Sequence, residues 1–246
     1  MEEHKLLIVQ WVNDVFGGPV ASLLQMLHLH AEPGQDIIPT HVVMETVVLL
    51  VCFIVFGLMR SRLSVEAPGR LQQAFEVFVE FLNDQLEANI GHEGHKYLNI
   101  VGTLAVFILL SNLIGLVPGL AAPTSNINVP AGCALTVWVY YHFQGVRKQG
   151  ILKYLRHFMG PILALAPLMF LIEMISHAAR ALSLTIRLYA NIYAEESVIA
   201  VFFSLVAFVV PLPFMIYAIF GGLLQTFIFV TLTMVYLGGA VATEEH

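Results

Sequence analysis

Residues 171–196 read LIEMISHAARALSLTIRLYANIYAEE, a long apolar run interrupted at regular intervals by charge. At about 100° per residue, Glu173, His177, Arg180, Arg187, Asn191 and Glu195 fall within about 40° of one line on a helix. Ser176 and Ser183 lie on the edge of that line, and Glu196 points elsewhere. One helix therefore carries a polar seam several turns long. A charge at the centre of a bilayer costs roughly 2.5–3.5 kcal/mol on insertion scales, so such residues face protein interior or water. Of the 11 lysines and arginines in the chain, only Arg180 and Arg187 fall inside an apolar span. Arg180 is close enough to a helix end to snorkel. Glu173 has a bland reading as the partner of His177 or Arg180, and Asn191 and Ser183 as hydrogen bonders to neighbouring helices. Arg187 resists a bland reading: no carboxylate precedes it by a turn, neutral Asn191 follows it by a turn, and Glu195 is two turns away. An unpaired cation there requires a carboxylate from another chain or a water-filled path.

The surroundings agree with a bilayer as solvent. The 246 residues are 58% hydrophobic and only 11% charged, with a mean hydropathy of +0.81, whereas soluble domains carry about 25% charged residues. A net charge of −6 without a basic tract argues against nucleic acid as a partner. Cys52 and Cys133 both sit in apolar runs and read as packing residues, not as a disulfide or metal site. GHEGH at 91–95 lacks the spacing of a zinc helix and reads as a loop. No metal or cofactor is expected, and the acidic start MEEHK does not resemble a signal peptide.

The predicted architecture is an all-α membrane protein of about five transmembrane helices plus interfacial amphipathic helices. Residues 1–40 form an outer-side segment, with a short amphipathic helix broken near Gly17-Gly18-Pro19 and a loop at AEPGQD. Residues 41–60 hold the first span, about 42–59, whose only charge is Glu45. Residues 61–95 form a cytoplasmic-side segment in which Leu71, Phe75, Phe78, Val79 and Leu82 share one helical face. Residues 96–147 hold two spans, about 97–116 and 129–143, joined by AAPTSNINVP. Residues 148–246 begin with a basic stretch and form a long helical hairpin with its junction near Glu195-Glu196 or soon after. Arg60, Arg62, Arg70, Lys96, Arg147, Lys148, Lys153 and Arg156 all flank one side of this arrangement. By the positive-inside rule the C-terminus is cytoplasmic and the N-terminus outside.

LSLTIRLYANIYAEE resembles the signature of subunit a of the F-type rotary ATP synthase, the stator part of its proton channel. PGRLQQAFEVFVEFLND, FILLSNLIGLVPG, PTSNINV, LLQTFIFVTLTMVYL and the ending EEH resemble further landmarks of that family in the same order. The resemblance implies a multi-pass protein of a bacterial inner membrane. It implies as partners a ring of c subunits bearing buried carboxylates, b-type stator subunits, membrane lipid and, indirectly, the catalytic F1 sector. Two offset half-channels would lead ions to the ring from either side. Arg187 corresponds to the essential arginine facing the ring. Asn191, Glu196 and Gln225 match polar positions near the half-channels; Ser183, Glu173 and Ser176 match other polar positions on the penultimate helix, and Asn112 matches one on the second span. The chain departs from the family pattern at Gly115, where many members are acidic, at Ala218, where some have His or Glu, and at Glu195, where a small residue is common. The pair Glu195-Glu196, with His177, is then expected to hold water or relay protons.

The chemistry suits that reading. Arginine stays protonated at physiological pH, so Arg187 cannot carry the proton. It can hold a passing carboxylate ionised, because a nearby opposite charge lowers a carboxylate pKa by about 1–3 units. One charge crossing 100 mV is worth about 2.3 kcal/mol, so several must pass for each ATP made. No Gly-rich phosphate loop occurs, so nucleotide chemistry belongs to other subunits. An autonomous channel or transporter predicts internal repeats or paired broken helices. A haem carrier predicts facing histidine pairs, for which only His142 and His177 qualify. A purely structural anchor leaves Arg187 without a purpose.

Overall fold

The computed structural model describes residues 6–26, 36–61, 63–64, 68–117, 119–159, 165–205 and 211–241. Among them every regular element is helical: α1 (Leu7–Met26), α2 (Thr40–Arg60), α3 (Arg70–Ile90), α4 (Leu98–Ile114), α5 (Asn128–Gln149), α6 (Ile151–Met159), α7 (Ala166–Leu205) and α8 (Pro211–Val241). Single 3-10 turns at Gly94–Tyr97 and Pro123–Ser125 precede α4 and α5. Most of the AEPGQD loop, Arg62 and the tail EEH lie outside the described residues.

Among the described residues, four helices are long and apolar enough to cross a bilayer: α2, the Gly94–Ile114 segment containing α4, α7 and α8. The expected span at 129–143 does not stop at Phe143. As α5 it continues through Arg147 and Lys148 to Gln149, which lowers its apolar character, and it packs on both α7 and α8. Gly150, at φ +79°, ends it in a conformation that favours glycine, and α6 follows at once. Two other expectations are corrected. α1 runs unbroken through Gly17-Gly18-Pro19. A proline removes one intrahelical bond, but tertiary bonds hold the helix: Asn13 Nδ2 donates to the Ile38 carbonyl at 3.1 Å, and Asn13 Oδ1 accepts from the Ile38 N–H at 2.9 Å. The hairpin junction, expected near Glu195-Glu196 or soon after, falls on the later side, because α7 continues as one helix to Leu205.

Burial is inverted relative to a water-soluble fold. Phe53 is 74% exposed, and large apolar side chains stand outward along α2, α7 and α8. Lipid tails are as apolar as leucine, so helices associate through close packing and interhelical hydrogen bonds. α8 is the hub of that packing and touches α3, α4, α5 and α7. Amphipathic α3 lies against it, with the Phe81 and Phe227 rings 6.2 Å apart. Close approach at the far end needs Gly238, where a Cβ would sit 2.7 Å from the Asn89 carbonyl oxygen.

Polar contacts bring Lys96 and Lys148 together at one end of the bundle. Lys148, at the end of α5, reaches Glu93, before α4, at 3.1 Å, and Glu93 also pairs with Lys96 at 2.8 Å. Lys96 and Lys148 together hold the Glu93 carboxyl down to about 2. Gln149 Nε2 donates to the Ala240 carbonyl at 3.1 Å, which brings the last turn of α8 to the same end.

Candidate ion-conduction site

The site is built on the antiparallel α7–α8 hairpin. Its register is visible in successive facing pairs. Arg180 lies over the Tyr236 ring, 5.5 Å from its centroid. Asn191 Nδ2 donates to Gln225 Oε1 at 2.8 Å. The Glu195 carboxylate lies against Gly221, and the Phe202 and Phe214 rings stack at 4.2 Å. The seam of α7 is therefore the flank that meets α8, while Leu184, Leu188 and Ile192 form the face turned into the bundle.

Arg187 occupies the middle of this flank and is exposed at the surface of the chain. Among the described residues no carboxylate lies within 4 Å of it. Ser183, one turn earlier, and Asn191, one turn later, are also exposed, whereas Glu173 and Ser176 are half-buried. Between Arg187 and the hairpin junction, α7 and α8 separate around a cavity of about 650 Å³. Its lining includes Asn191, Glu195, Gly221 and Gln225, and it reaches Pro213 and Phe214. That distance along α8, from Gln225 to Pro213, is about 18 Å at 1.5 Å per residue. Gln225 is only 3% exposed, and its Nε2 has no hydrogen-bond partner among the described residues. A buried amide donor normally has one, so this N–H₂ is suited to a water in the cavity.

Glu196 points away from this space. It lies over Gly115, the position that departs from the family pattern, and accepts a hydrogen bond from the Ala122 N–H at 2.6 Å. Asn112 is likewise occupied. Its Oδ1 accepts from Thr124 Oγ1 at 2.8 Å, and its Nδ2 donates to the Gly222 carbonyl and to Thr226 Oγ1, both at 3.2 Å. The structure thus brings Arg187, Asn191, Glu195 and Gln225 to one flank and separates Glu196 and Asn112 from them.

The other half of the seam is filled by rings. Tyr141 Oη and His177 Nδ1 are 2.8 Å apart, and His142 Nδ1 and Tyr154 Oη 2.7 Å. The His142 and His177 rings lie 4.9 Å apart, with Phe158 against both. Glu173 Oε2 is 3.8 Å from His177 Nε2. Tyr154, Gly221 and the role of His142 were not foreseen, because each depends on which helices face one another.

Fold and site together define a polytopic all-α membrane protein with a fixed cation and titratable groups along one hairpin. The family model described as ATP synthase A chain matches residues 41–238. The ATP synthase subunit a of Solibacter usitatus is 51% identical over 203 residues, covering 82% of this chain and 87% of the relative. That of Koribacter versatilis is 44% identical over 239 residues, covering 97% and 98%, and that of Geobacter sulfurreducens 39% over 243, covering 99% of each. The chain belongs to the ATP synthase subunit a family, the proton-translocating membrane-sector subunit of the F-type enzyme.

Proposed function

We propose that the α7–α8 flank carrying Arg187 faces a ring of c subunits and separates two aqueous half-channels. The observation that carries this reading is Arg187 itself, exposed on a membrane-spanning helix with no carboxylate partner among the described residues. A ring carboxylate arriving beside it stays ionised and releases its proton on one side. Continued rotation lets it rebind a proton on the other. The fixed guanidinium also blocks direct leakage between the half-channels.

The cavity at Asn191, Glu195 and Gln225 supports one half-channel, opening toward the hairpin junction. Glu173, Ser176, His177 and Ser183 belong to the other, and Glu196 and Asn112 border the first through the α4–α5 turn. The Lys148–Glu93 pair and the Gln149–Ala240 bond gather basic residues and the end of α8 on one side. By the positive-inside rule that side is the cytoplasm, with the C-terminus there and the N-terminus outside a bacterial inner membrane. Exposed apolar faces on α2 and α3 are then available to lipid and to b-type stator subunits, and the F1 sector is reached indirectly. Arg187→Ala should abolish proton-driven ATP synthesis in membrane vesicles while leaving ATP hydrolysis by detached F1 intact. Retained coupled synthesis refutes this function.

A further inference from the structure

We propose that a groove between α2, α3 and α4 binds one anionic phospholipid, with an acyl chain in the groove and the headgroup phosphate against Arg60 and Arg70. The leaflet concerned is the cytoplasmic one in the orientation proposed above.

The two halves of α2 are packed differently. Its outer half buries Val43, Met44 and Val48, and the helix packs there on α4 and on the Pro123–Ser125 turn. From Leu49 to Arg60 no residue of α2 is buried. In that half α2 stands off from α4 and leaves a groove of about 550 Å³. Phe53 and Phe56 of α2, Phe75 and Phe78 of α3, and Gly102 and Phe107 of α4 are among its lining residues. Amphipathic α3 closes one side, with the Phe56 and Phe75 rings 5.4 Å apart. Glu76 and Glu80 lie on another face of α3 and do not line the groove.

Length selects the occupant. Along α4 the lining runs from Leu98 to Phe107, about 13 Å at 1.5 Å per residue. One leaflet contributes about half of a hydrocarbon core of about 30 Å. The groove therefore has the depth of a single leaflet and stops where α2 closes on α4. A transmembrane helix of a partner would need an open face along both leaflets, whereas an acyl chain needs only this one.

Charge selects the headgroup. Arg60, the last residue of α2, follows Phe53 and Phe56 on the same helical face, two turns and one turn on. Arg70 is the first residue of α3, five positions before Phe75. Gln72 in the first turn of α3 bonds to both the N–H and the carbonyl of Ser64, at 3.1 and 2.9 Å, which holds the start of α3 to the stretch that follows α2. Both arginines are exposed, and among the described residues neither has an ion pair or hydrogen bond. Lys96, by contrast, is already paired with Glu93. Two free guanidinium groups at the mouth of an apolar groove match a phosphodiester that carries an acyl chain.

Quenching of tryptophan fluorescence by brominated acyl chains reads the occupant. Assembled membrane sectors with and without Phe78→Trp, the latter for subtraction, are placed in phosphatidylcholine vesicles containing a small share of brominated phosphatidylglycerol or brominated phosphatidylcholine. Each arginine near an anionic headgroup favours it about fivefold. Half-maximal quenching should therefore need about twenty-five-fold less of the anionic lipid. Arg60→Gln with Arg70→Gln should bring the two lipids level, and Arg60→Lys with Arg70→Lys should keep most of the preference. A Cβ on Gly102 would lie 3.8 Å from Leu82 Cδ1, so Gly102→Leu can be accommodated and fills the groove. It should lower quenching by both lipids with the arginines intact. If Phe78→Trp fails to assemble, Phe53→Trp reports from the opposite wall. Equal quenching by the two lipids, a preference that survives the double glutamine variant, or full quenching in Gly102→Leu overturns the proposal. So does the absence of quenching at both reporter positions, which would mean that a partner helix fills the groove.

Discussion

The two halves of the α7–α8 hairpin, on either side of Arg187, use one helix pair for opposite ends. Toward the junction, glycine faces glutamate, an amide donor has no partner among the described residues, and about 650 Å³ stays open. Toward the basic end, the same flank meets Tyr141, His142, Tyr154, Phe158 and Tyr236, and both histidines are bonded to tyrosine hydroxyls. What stands opposite α7 makes the difference: Gly221 on α8 leaves room beside Glu195, whereas aromatic residues supplied by α5, α6 and the end of α8 surround His177 and Arg180. The position of a polar residue along a helix therefore does not tell whether it is wet. What faces it does.

The largest effect expected from breaking this contrast lies at its boundary. Arg187→Lys keeps the charge but loses the planar fork, and coupled ATP synthesis in vesicles should fall about a hundredfold or more. Near-normal synthesis would mean that charge alone separates the halves. Next is Gly221→Leu, which fills the open half so that it resembles the packed one. Passive proton flow should drop about tenfold or more, and undiminished flow would remove the cavity from the path. A smaller effect is expected in the packed half. Tyr154→Phe strips the partner from His142 Nδ1, whose Nε2 is already without one among the described residues. Leaving a buried polar atom unpaired costs about 1–3 kcal/mol, which should appear as a lower unfolding temperature of the purified membrane sector. An unchanged midpoint would show that the ring cluster is held by shape alone.

The smallest effect concerns the exposed Glu93 clasp between α4 and α5. Its carboxyl lies at about 2, below the unfolded value of 4.5, so its stabilisation is present above about pH 4.5 and is lost as pH falls toward 2. Glu93→Gln should lower the unfolding midpoint slightly at neutral pH and low salt, with the two proteins converging near pH 2 or at high salt. A difference that persists at pH 2 would point to packing rather than charge.

The strongly apolar spans were legible in sequence because length and hydropathy alone specify them: α2 and α4 fall within a few residues of the expected 42–59 and 97–116. Arg187 was legible for the same reason, as a charge where lipid forbids one. Element ends were less so. α5 outruns its apolar stretch because Arg147 and Lys148 continue a helix as well as apolar residues do. α7 passes Glu195-Glu196 because glutamates are good helix formers and both find room against glycines. The pairing of Glu195 with Gly221 was not readable, since it depends on the relative register and rotation of two helices, for which hydropathy carries no signal. The same holds for His142, whose partner Tyr154 comes from a different helix.

The place of α8 as hub has a consequence for synthesis. The chain is made from its N-terminus, and the hub, α8, follows every helix that it touches. Until α8 leaves the ribosome, Asn112 lacks Gly222 and Thr226, Arg180 lacks Tyr236, and Asn191 lacks Gln225. Earlier helices must wait in the membrane with polar groups lacking their final partners. Translation that stops before Gly222 therefore yields a subunit missing the partner of every one of those groups, and the channel cannot mature until α8 is made.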